Sequence, residues 1–471
     1  MNNKFVESVE TTPTYELTEN NGLTYDSSMD HCVDLFFLIG AARKESVTNV
    51  VNTFERAYNQ NREIALRILL WSRDIRSGAG ERQTFRNILT HLEKAHKKDF
   101  ELILPYVPYY GRWDDLFIVE TEKGRELVAE LFKKALQNND QLAAKWGPRK
   151  GYKAKWLREK MGFTPKQYRK TLVNLTNVVE NKMCEKRFED IVFSHVPSIA
   201  AARYKNCFYR HVPKLYQNYV NDLVSGNQKI NASAIFPHDV IKEALHFSFV
   251  DDINKDVIIQ QWDSLSDYIG DNKILPMVDV SGSMYQNISK TTSAIDISVS
   301  LGMYISEKNK GIFNGLILTF SGKPKLEKLT GNVIQRLGQL KNINWGFNTN
   351  VEKAFDEVLR FALTNNVPKS DMPEYLVIIS DMEFDSATRN KNTSFENAKK
   401  TFNDNGYDLP VVVFWNLKGR VNNVPVTKHT NNSILISGFS PTIMKNVLSA
   451  KNMNSYSIMI DTIMDEKYNI F

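Results

Sequence analysis

Ile274-Leu275-Pro276-Met277-Val278-Asp279-Val280-Ser281-Gly282-Ser283-Met284 reads as a short buried strand that runs into an Asp-x-Ser-x-Ser loop. An apolar run of this kind suits a central parallel strand, covered on both faces, better than a half-exposed one. The loop sets one carboxylate and two hydroxyls on alternate residues at the strand's carboxyl end, the edge where open α/β sheets bind ligands. All three groups are hard oxygen donors, suited to Mg²⁺, Ca²⁺ or Mn²⁺ rather than to zinc. The pattern alone is weak, because a chain of this length matches it by chance about once in ten such chains.

The texture on either side of this stretch supplies the context. After Lys273, strand-like apolar runs at 274–280, Leu316 to Phe320, Tyr375 to Ser380, Pro410 to Trp415 and Ile434 to Ile436 alternate with helical patterns. Those patterns fall at 290–308, 349–364, 393–405 and 441–450. The alternation predicts a doubly wound α/β domain over residues 269–471. Before it, residues 29–268 carry helical spacing with short Gly- and Pro-containing breaks and almost no strand alternation. This predicts stacked helical pairs, an α-solenoid, whose repeats are degenerate because no strict sequence period is present. Residues 1–28, polar and rich in Thr and Asn, read as an extended arm.

Composition excludes several classes. A net charge of +6 on 471 residues is too small to announce a nucleic-acid partner by itself. Cys32, Cys184 and Cys207 are far apart and form no C-x-x-C pair, which argues against a disulfide framework or a zinc site. No apolar h-region opens the chain and no apolar run reaches the roughly 18 residues of a membrane span. The expectation is a cytoplasmic monomer with no membrane partner.

Two further oxygen donors fall at strand-loop junctions of the second half. Thr349 lies in Trp345-Gly346-Phe347-Asn348-Thr349-Asn350 just before a helix, and Asp381 follows the strand ending at Ser380. Asp279, Ser281, Ser283, Thr349 and Asp381 together would leave one position of an octahedron for an outside ligand. The bland alternative is that Ser281 and Ser283 cap the following helix and Asp381 caps another. No His lies near these motifs, and no base is placed to activate a serine, so the expectation is a binding site and not a catalytic one. A metal-dependent nuclease would need a second metal or a general base, and the motif supplies neither clearly.

With those five residues in order, the second half resembles a von Willebrand factor A domain with a metal-ion-dependent adhesion site. The resemblance implies that a Mg²⁺-type ion (Mn²⁺ or Ca²⁺ as variants) bridges these residues to a partner's carboxylate.

Lys145 to Lys170 holds ten Lys or Arg against one acid, Glu159, with Trp146, Tyr152, Trp156 and Tyr168 interleaved. Such a mixture suits RNA, since cations neutralise phosphate and rings stack bases. The candidates are Lys145, Arg149, Lys150, Lys153, Lys155, Arg158, Arg169 and Lys170, with Arg203, Lys205, Arg210 and His211 as a second run. The alternative is that Trp156, Leu157 and Met161 form a core stripe beneath a solvated lysine face. Ser77-Gly78-Ala79-Gly80-Glu81-Arg82 is no phosphate cradle, because it lacks the Gly-Lys-Ser/Thr continuation and joins two helices.

Helical array followed by A domain resembles the Ro autoantigen family, whose helical part is the TROVE module. The segments carrying the likeness are Leu69-Leu70-Trp71-Ser72-Arg73-Asp74-Ile75-Arg76 with Gly80-Glu81-Arg82, Tyr110-Gly111-Arg112-Trp113-Asp114-Asp115-Leu116, Val196-Pro197-Ser198 and Ser437-Gly438-Phe439-Ser440-Pro441. The likeness is closest to the Ro-like relatives of bacteria, plants and large viruses. It implies a closed ring of HEAT-like helical pairs joined by the A domain, and a non-enzymatic scaffold for structured or misfolded small RNA. A second reading is a metal-dependent protein-interaction module without RNA.

Overall fold

The computed structural model describes residues 12–176, 178–228, 230, 235–246, 252–289, 292–320, 323–342, 349–386, 392–450 and 452–471. Residues 1–11 of the expected arm and the Trp345 to Asn348 part of the loop before Thr349 lie outside them. The fold is mixed, a helical N-terminal region followed by a sheet region. Among the described residues no strand occurs between Asp30 and Gly270. Helices there form where apolar residues recur at helical spacing behind a polar cap. In Val47–Gln60 the buried positions are Val50, Thr53, Phe54 and Ala57, and Ser46 Oγ accepts the Asn49 N–H at 3.1 Å.

The expected extended arm is instead partly a hairpin. Strands β1 (Tyr15–Leu17) and β2 (Leu23–Tyr25) pair antiparallel around Glu19-Asn20-Asn21-Gly22. Asn21 adopts φ 62°, the left-handed conformation that an Asn-Gly turn favours.

Six strands form the main sheet: β3 (Ile274–Asp279), β4 (Leu316–Phe320), β5 (Lys325–Lys328), β6 (Tyr375–Ser380), β7 (Val411–Asn416) and β8 (Ser433–Ser437). Their order is β5-β4-β3-β6-β7-β8, all parallel except the antiparallel edge pair β4–β5. Strand β5, Lys-Leu-Glu-Lys, breaks the expected alternation. It has charged ends and a half-buried middle, a pattern suited to a short edge strand that discourages further pairing.

Helices cover both faces. Ile317 meets helix Ala294–Lys308 at Gly302, whereas Leu316 and Leu318 face a cavity lined by Val358 and Phe361 of helix Val351–Thr364. A Cβ on Gly302 would stand 2.2 Å from Val278 Cγ2, so glycine sets how closely that helix approaches β3.

The two regions share one hydrophobic core, which runs from Phe36, Leu69 and Trp71 into β3, β6 and β7. Ser437 Oγ on β8 donates to the Phe36 carbonyl at 2.8 Å and accepts the Gly40 N–H at 3.1 Å. The C-terminal residues dock on the helical region as well. Tyr468 OH reaches Asp74 at 2.9 Å and Arg67 reaches Asn469 at 2.9 Å. At the other end of the helical region, helices Pro237–His246 and Asp252–Asp263 pack on Val333–Lys341. A separate cluster around Phe193, Phe208, Tyr216 and Val220 holds helices Ser198–His211 and Pro213–Val224 together.

His238, 6% exposed between the Phe236 and Phe439 rings, is a buried titratable group at this junction. Burial holds its pKa below the ordinary value, with Arg43 and Lys242 acting in the same direction and Asp239 and Asp296 against it. Below the ordinary imidazole range the unfolded chain therefore binds a proton that the folded chain refuses. His238 contributes stability that is present at neutral pH and is lost as pH falls. The melting temperature should drop between about pH 7.5 and 5.5, and His238→Asn should shrink that drop. Equal drops in both proteins would contradict this.

Candidate functional site

Asp279 and Asp381 meet because β3 and β6 are parallel neighbours in register. Val278 lies opposite Ile379, which puts Asp279 beside Ser380 and one residue from Asp381. The chain order reverses direction across the sheet at this β3–β6 pair, so the crevice beyond their carboxyl ends is a switch point. Asp279 is 0% exposed; its Oδ1 accepts the Ser281 N–H at 2.9 Å and its Oδ2 accepts the Ser380 hydroxyl. Asp381 is also 0% exposed, and its Oδ1 accepts the Glu383 N–H at 3.3 Å. Its Oδ2 is buried without a hydrogen-bond partner among the described residues. Met382, next in the chain, has φ 64°, a conformation a non-glycine residue adopts at a cost.

The two serines lie at the same strand end, whereas the Thr349 hydroxyl is tied to this edge only through Asn20, at 3.5 Å. Ser281 Oγ and Ser283 Oγ are 3.1 Å apart, and neither side chain caps the short helical turn Gly282–Tyr285. Thr349 is buried, and helix Val351–Thr364 is capped by Asn350. Helix Ser394–Asp404 is capped by Thr393. The helix that follows the loop, Ala294–Lys308, is capped by Ser293, so the capping alternative does not account for Ser281, Ser283 or Asp381.

Electrostatically the crevice is short of positive charge. Burial raises the Asp279 pKa, and the Asp381 carboxylate raises it further. Burial also raises Asp381, with Lys418 and the Ser283 hydroxyl acting the other way. Two buried carboxylates side by side are each held toward the neutral form, the condition that a bound cation relieves.

The hairpin turn covers this edge. Asn20 Nδ2 donates to the Glu383 carbonyl at 2.6 Å and approaches Thr349 Oγ1 at 3.5 Å, while the Glu19 N–H donates to Glu383 Oε2 at 2.6 Å. Arg420 pairs with Glu383 at 3.1 Å, and Asn423 Nδ2 donates to it at 3.1 Å. Asn20, Ser380 and Glu383 carry no mark in the sequence that sets them apart. The Asn21-Gly22 pair is the available signal for the turn.

The basic candidates divide by exposure. Arg149, Lys150, Lys153, Lys155, Arg169, Lys170, Arg203, Arg210 and His211 are exposed, and Lys145 and Arg158 are half-buried. Lys205 is only 5% exposed, because it shares a helical face with buried Ala201 and Phe208. It is not a surface contact. Trp156 and Tyr168 are buried at 7% and 4%, so the core-stripe alternative holds for them. Trp146 lies beneath the Arg112 guanidinium at 4.0 Å, which leaves Tyr152, 63% exposed, as the accessible ring. His211 stacks on Phe188 at 4.2 Å. Among the described residues, Lys150, Lys153, Lys155, Arg169 and Lys170 form no ion pair.

The motifs read as Ro-like have packing roles. Asp115, 0% exposed, binds buried Arg73 at 2.7 Å and Arg86 at 2.7 Å and accepts the Arg112 N–H at 2.9 Å. Glu81 pairs with Arg43 and accepts the Gln83 N–H at 3.0 Å.

A family model described as a domain of unknown function (DUF2828) matches residues 18–106 and 125–275, more than half of the chain. The chain belongs to the DUF2828 family. A second model, a domain of unknown function (DUF7788), matches residues 273–469. Among relatives of this DUF2828 chain is Uncharacterized protein L728 of Acanthamoeba polyphaga mimivirus. It is 30% identical over 507 residues, covering 95% of this chain and 86% of that protein. These matches overturn the Ro/TROVE and von Willebrand factor A resemblance, since neither family is the one found. Of the segments that suggested it, those of Arg73 and Asp115 meet in a buried ion pair, and Glu81 pairs separately with Arg43.

Proposed function

We propose that the chain is a non-enzymatic binding protein whose sheet edge holds a divalent cation through Asp279, Ser281, Ser283, Thr349 and Asp381. The ion, Mg²⁺ by donor type, presents its open position to a carboxylate of a partner protein. The observation that carries this reading is the pair of buried carboxylates at the β3–β6 switch point with Asp381 Oδ2 unpartnered. A hard cation supplies the missing partner and offsets the repulsion in one step. Chelator-stripped protein should melt at a higher temperature when Mg²⁺ is restored, and a melt indifferent to Mg²⁺ and Mn²⁺ would contradict the proposal.

A second activity, RNA binding through the helical region, is favoured by the exposed and unpaired cations of 150–170. With Trp156 and Tyr168 in the core, that binding rests on phosphate neutralisation rather than stacking. Affinity for a structured RNA should fall steeply with salt. Exchanging Lys150, Lys153, Lys155 and Arg169 for Glu should weaken it at least tenfold at low salt and flatten the salt slope by about one for each phosphate no longer neutralised. An unchanged gel shift would remove RNA from the proposal. The solenoid stacking of the helical region, the doubly wound character of the sheet, ring closure, a monomeric state and a cytoplasmic location belong to the same proposal. The described residues hold no helix long and apolar enough to cross a membrane.

A further inference from the structure

A second cluster of ligating side chains lies in the helical region. Glu55 projects from helix Val47–Gln60, His91 from helix Gln83–Ala95, and His96 sits at the break before helix Lys97–Ile103. Glu55 Oε1 lies 2.6 Å from His91 Nε2 and 2.7 Å from His96 Nε2. The side chains are 28%, 27% and 21% exposed in the order Glu55, His91, His96, so the cluster is walled on one side and open to solvent on the other. Tyr58 packs against the His96 ring in a tilted contact, centroids 4.1 Å apart. Asp99, the other nearby acid, is already engaged by Arg62 and Tyr58 and is not a free fourth ligand. Glu55 Oε2 accepts no hydrogen bond among the described residues.

We infer that Glu55, His91 and His96 form a transition-metal site for Zn²⁺ or a chemically similar ion, with the remaining coordination position open to water or an outside ligand. Two imidazoles and one carboxylate are a borderline donor set, unlike the all-oxygen set of the sheet edge, so the two sites select different ions. Ligands bound at about 2.0–2.1 Å around a tetrahedral ion stand about 3.3 Å apart. Converting the present hydrogen-bonded geometry therefore needs the Glu55–His91 and Glu55–His96 pairs each to open by about 0.6–0.7 Å, a shift that side-chain torsions can take up. Each Nε2 must offer a lone pair, so its proton moves to Nδ1 or leaves to solvent, and binding weakens in acid. Burial alone would raise the Glu55 carboxyl, but the hydrogen bonds from His91 and His96 hold it below its ordinary value and keep it anionic.

The test uses the full chain stripped with a chelator, titrated with Zn²⁺ by calorimetry and with Co²⁺ by visible absorption. The expected result is one Zn²⁺ whose affinity falls at least tenfold in His91→Asn and Glu55→Gln and is unaffected in Asp381→Asn. Co²⁺ should give the intense d–d bands of a low-coordinate site with nitrogen ligands, also unaffected in Asp381→Asn. Three results would each overturn the inference: no micromolar Zn²⁺ binding by the wild type, variants that bind as the wild type does, or only the weak Co²⁺ bands of an octahedral oxygen site. The wild-type spectrum decides the matter even if a variant fails to fold.

Discussion

Asp115→Ala should destabilise the chain by about 3–5 kcal/mol, the cost of stranding a buried charge. Asp115 is fully buried and receives Arg73 on one oxygen, Arg86 on the other, and the Arg112 N–H as well. Arg73 is itself 2% exposed, so removing its carboxylate leaves a largely desolvated guanidinium without its counter-charge. Gly111 is packed so tightly against the pair that a Cβ there would approach Asp115 Oδ2 to 2.5 Å, which leaves no room for the network to relax. Asp115→Asn keeps an acceptor and should cost less than the alanine change. Chemical denaturation of the three proteins checks the order, and a loss below about 1 kcal/mol in Asp115→Ala would show that the pair is not desolvated.

Asp381→Asn should act in the opposite direction. In the absence of a divalent cation it removes one of two like charges in a buried crevice and should stabilise the chain by about 1–3 kcal/mol. The wild type should instead gain its stability from the ion. At free Mg²⁺ of 100 times Kd the gain is about 2.7 kcal/mol, and Asp381→Asn should show none of it. The variant is then the more stable protein in chelator and the unresponsive one in Mg²⁺. Residues that only buttress a fold do not produce this crossing of two melting curves. Parallel curves would mean that Asp279 and Asp381 are accommodated without an ion.

The parts of the fold legible in the sequence are those whose burial leaves a one-dimensional trace. Strands β3, β6, β7 and β8 are buried almost throughout and, like β4, read as apolar runs. Strand β5 leaves no such trace, because an edge strand facing solvent is permitted the Lys-Leu-Glu-Lys composition of a loop. The β1–β2 hairpin is marked only by its Asn21-Gly22 turn, since its first strand is exposed throughout and the turn is held by partners more than 300 residues away, such as Glu383 for Asn20. Helix Val333–Lys341 is absent from the sequence reading as well.

The candidate site shows the same division. Asp279, Ser281, Ser283, Thr349 and Asp381 stand at strand ends and helix starts, positions that local pattern marks. Ser380 and Glu383 act through register and through a folded-back hairpin, which no local pattern contains. In the basic stretch, composition does not tell a ring on the surface from one in the core. Tyr152 and Tyr168 belong to one charged segment, yet one is 63% exposed and the other 4%. Lys205 is a similar case, because helical phase and not charge decides which way it points.

The cation at the sheet edge is tested most directly by counting bound Mn²⁺. Chelator-stripped protein titrated with Mn²⁺ and followed by electron paramagnetic resonance should bind one ion that Mg²⁺ displaces. That ion should disappear in Asp279→Asn and in Asp381→Asn, and remain in Glu55→Gln. Full Mn²⁺ binding by the two Asp variants, or none by the wild type, would contradict it.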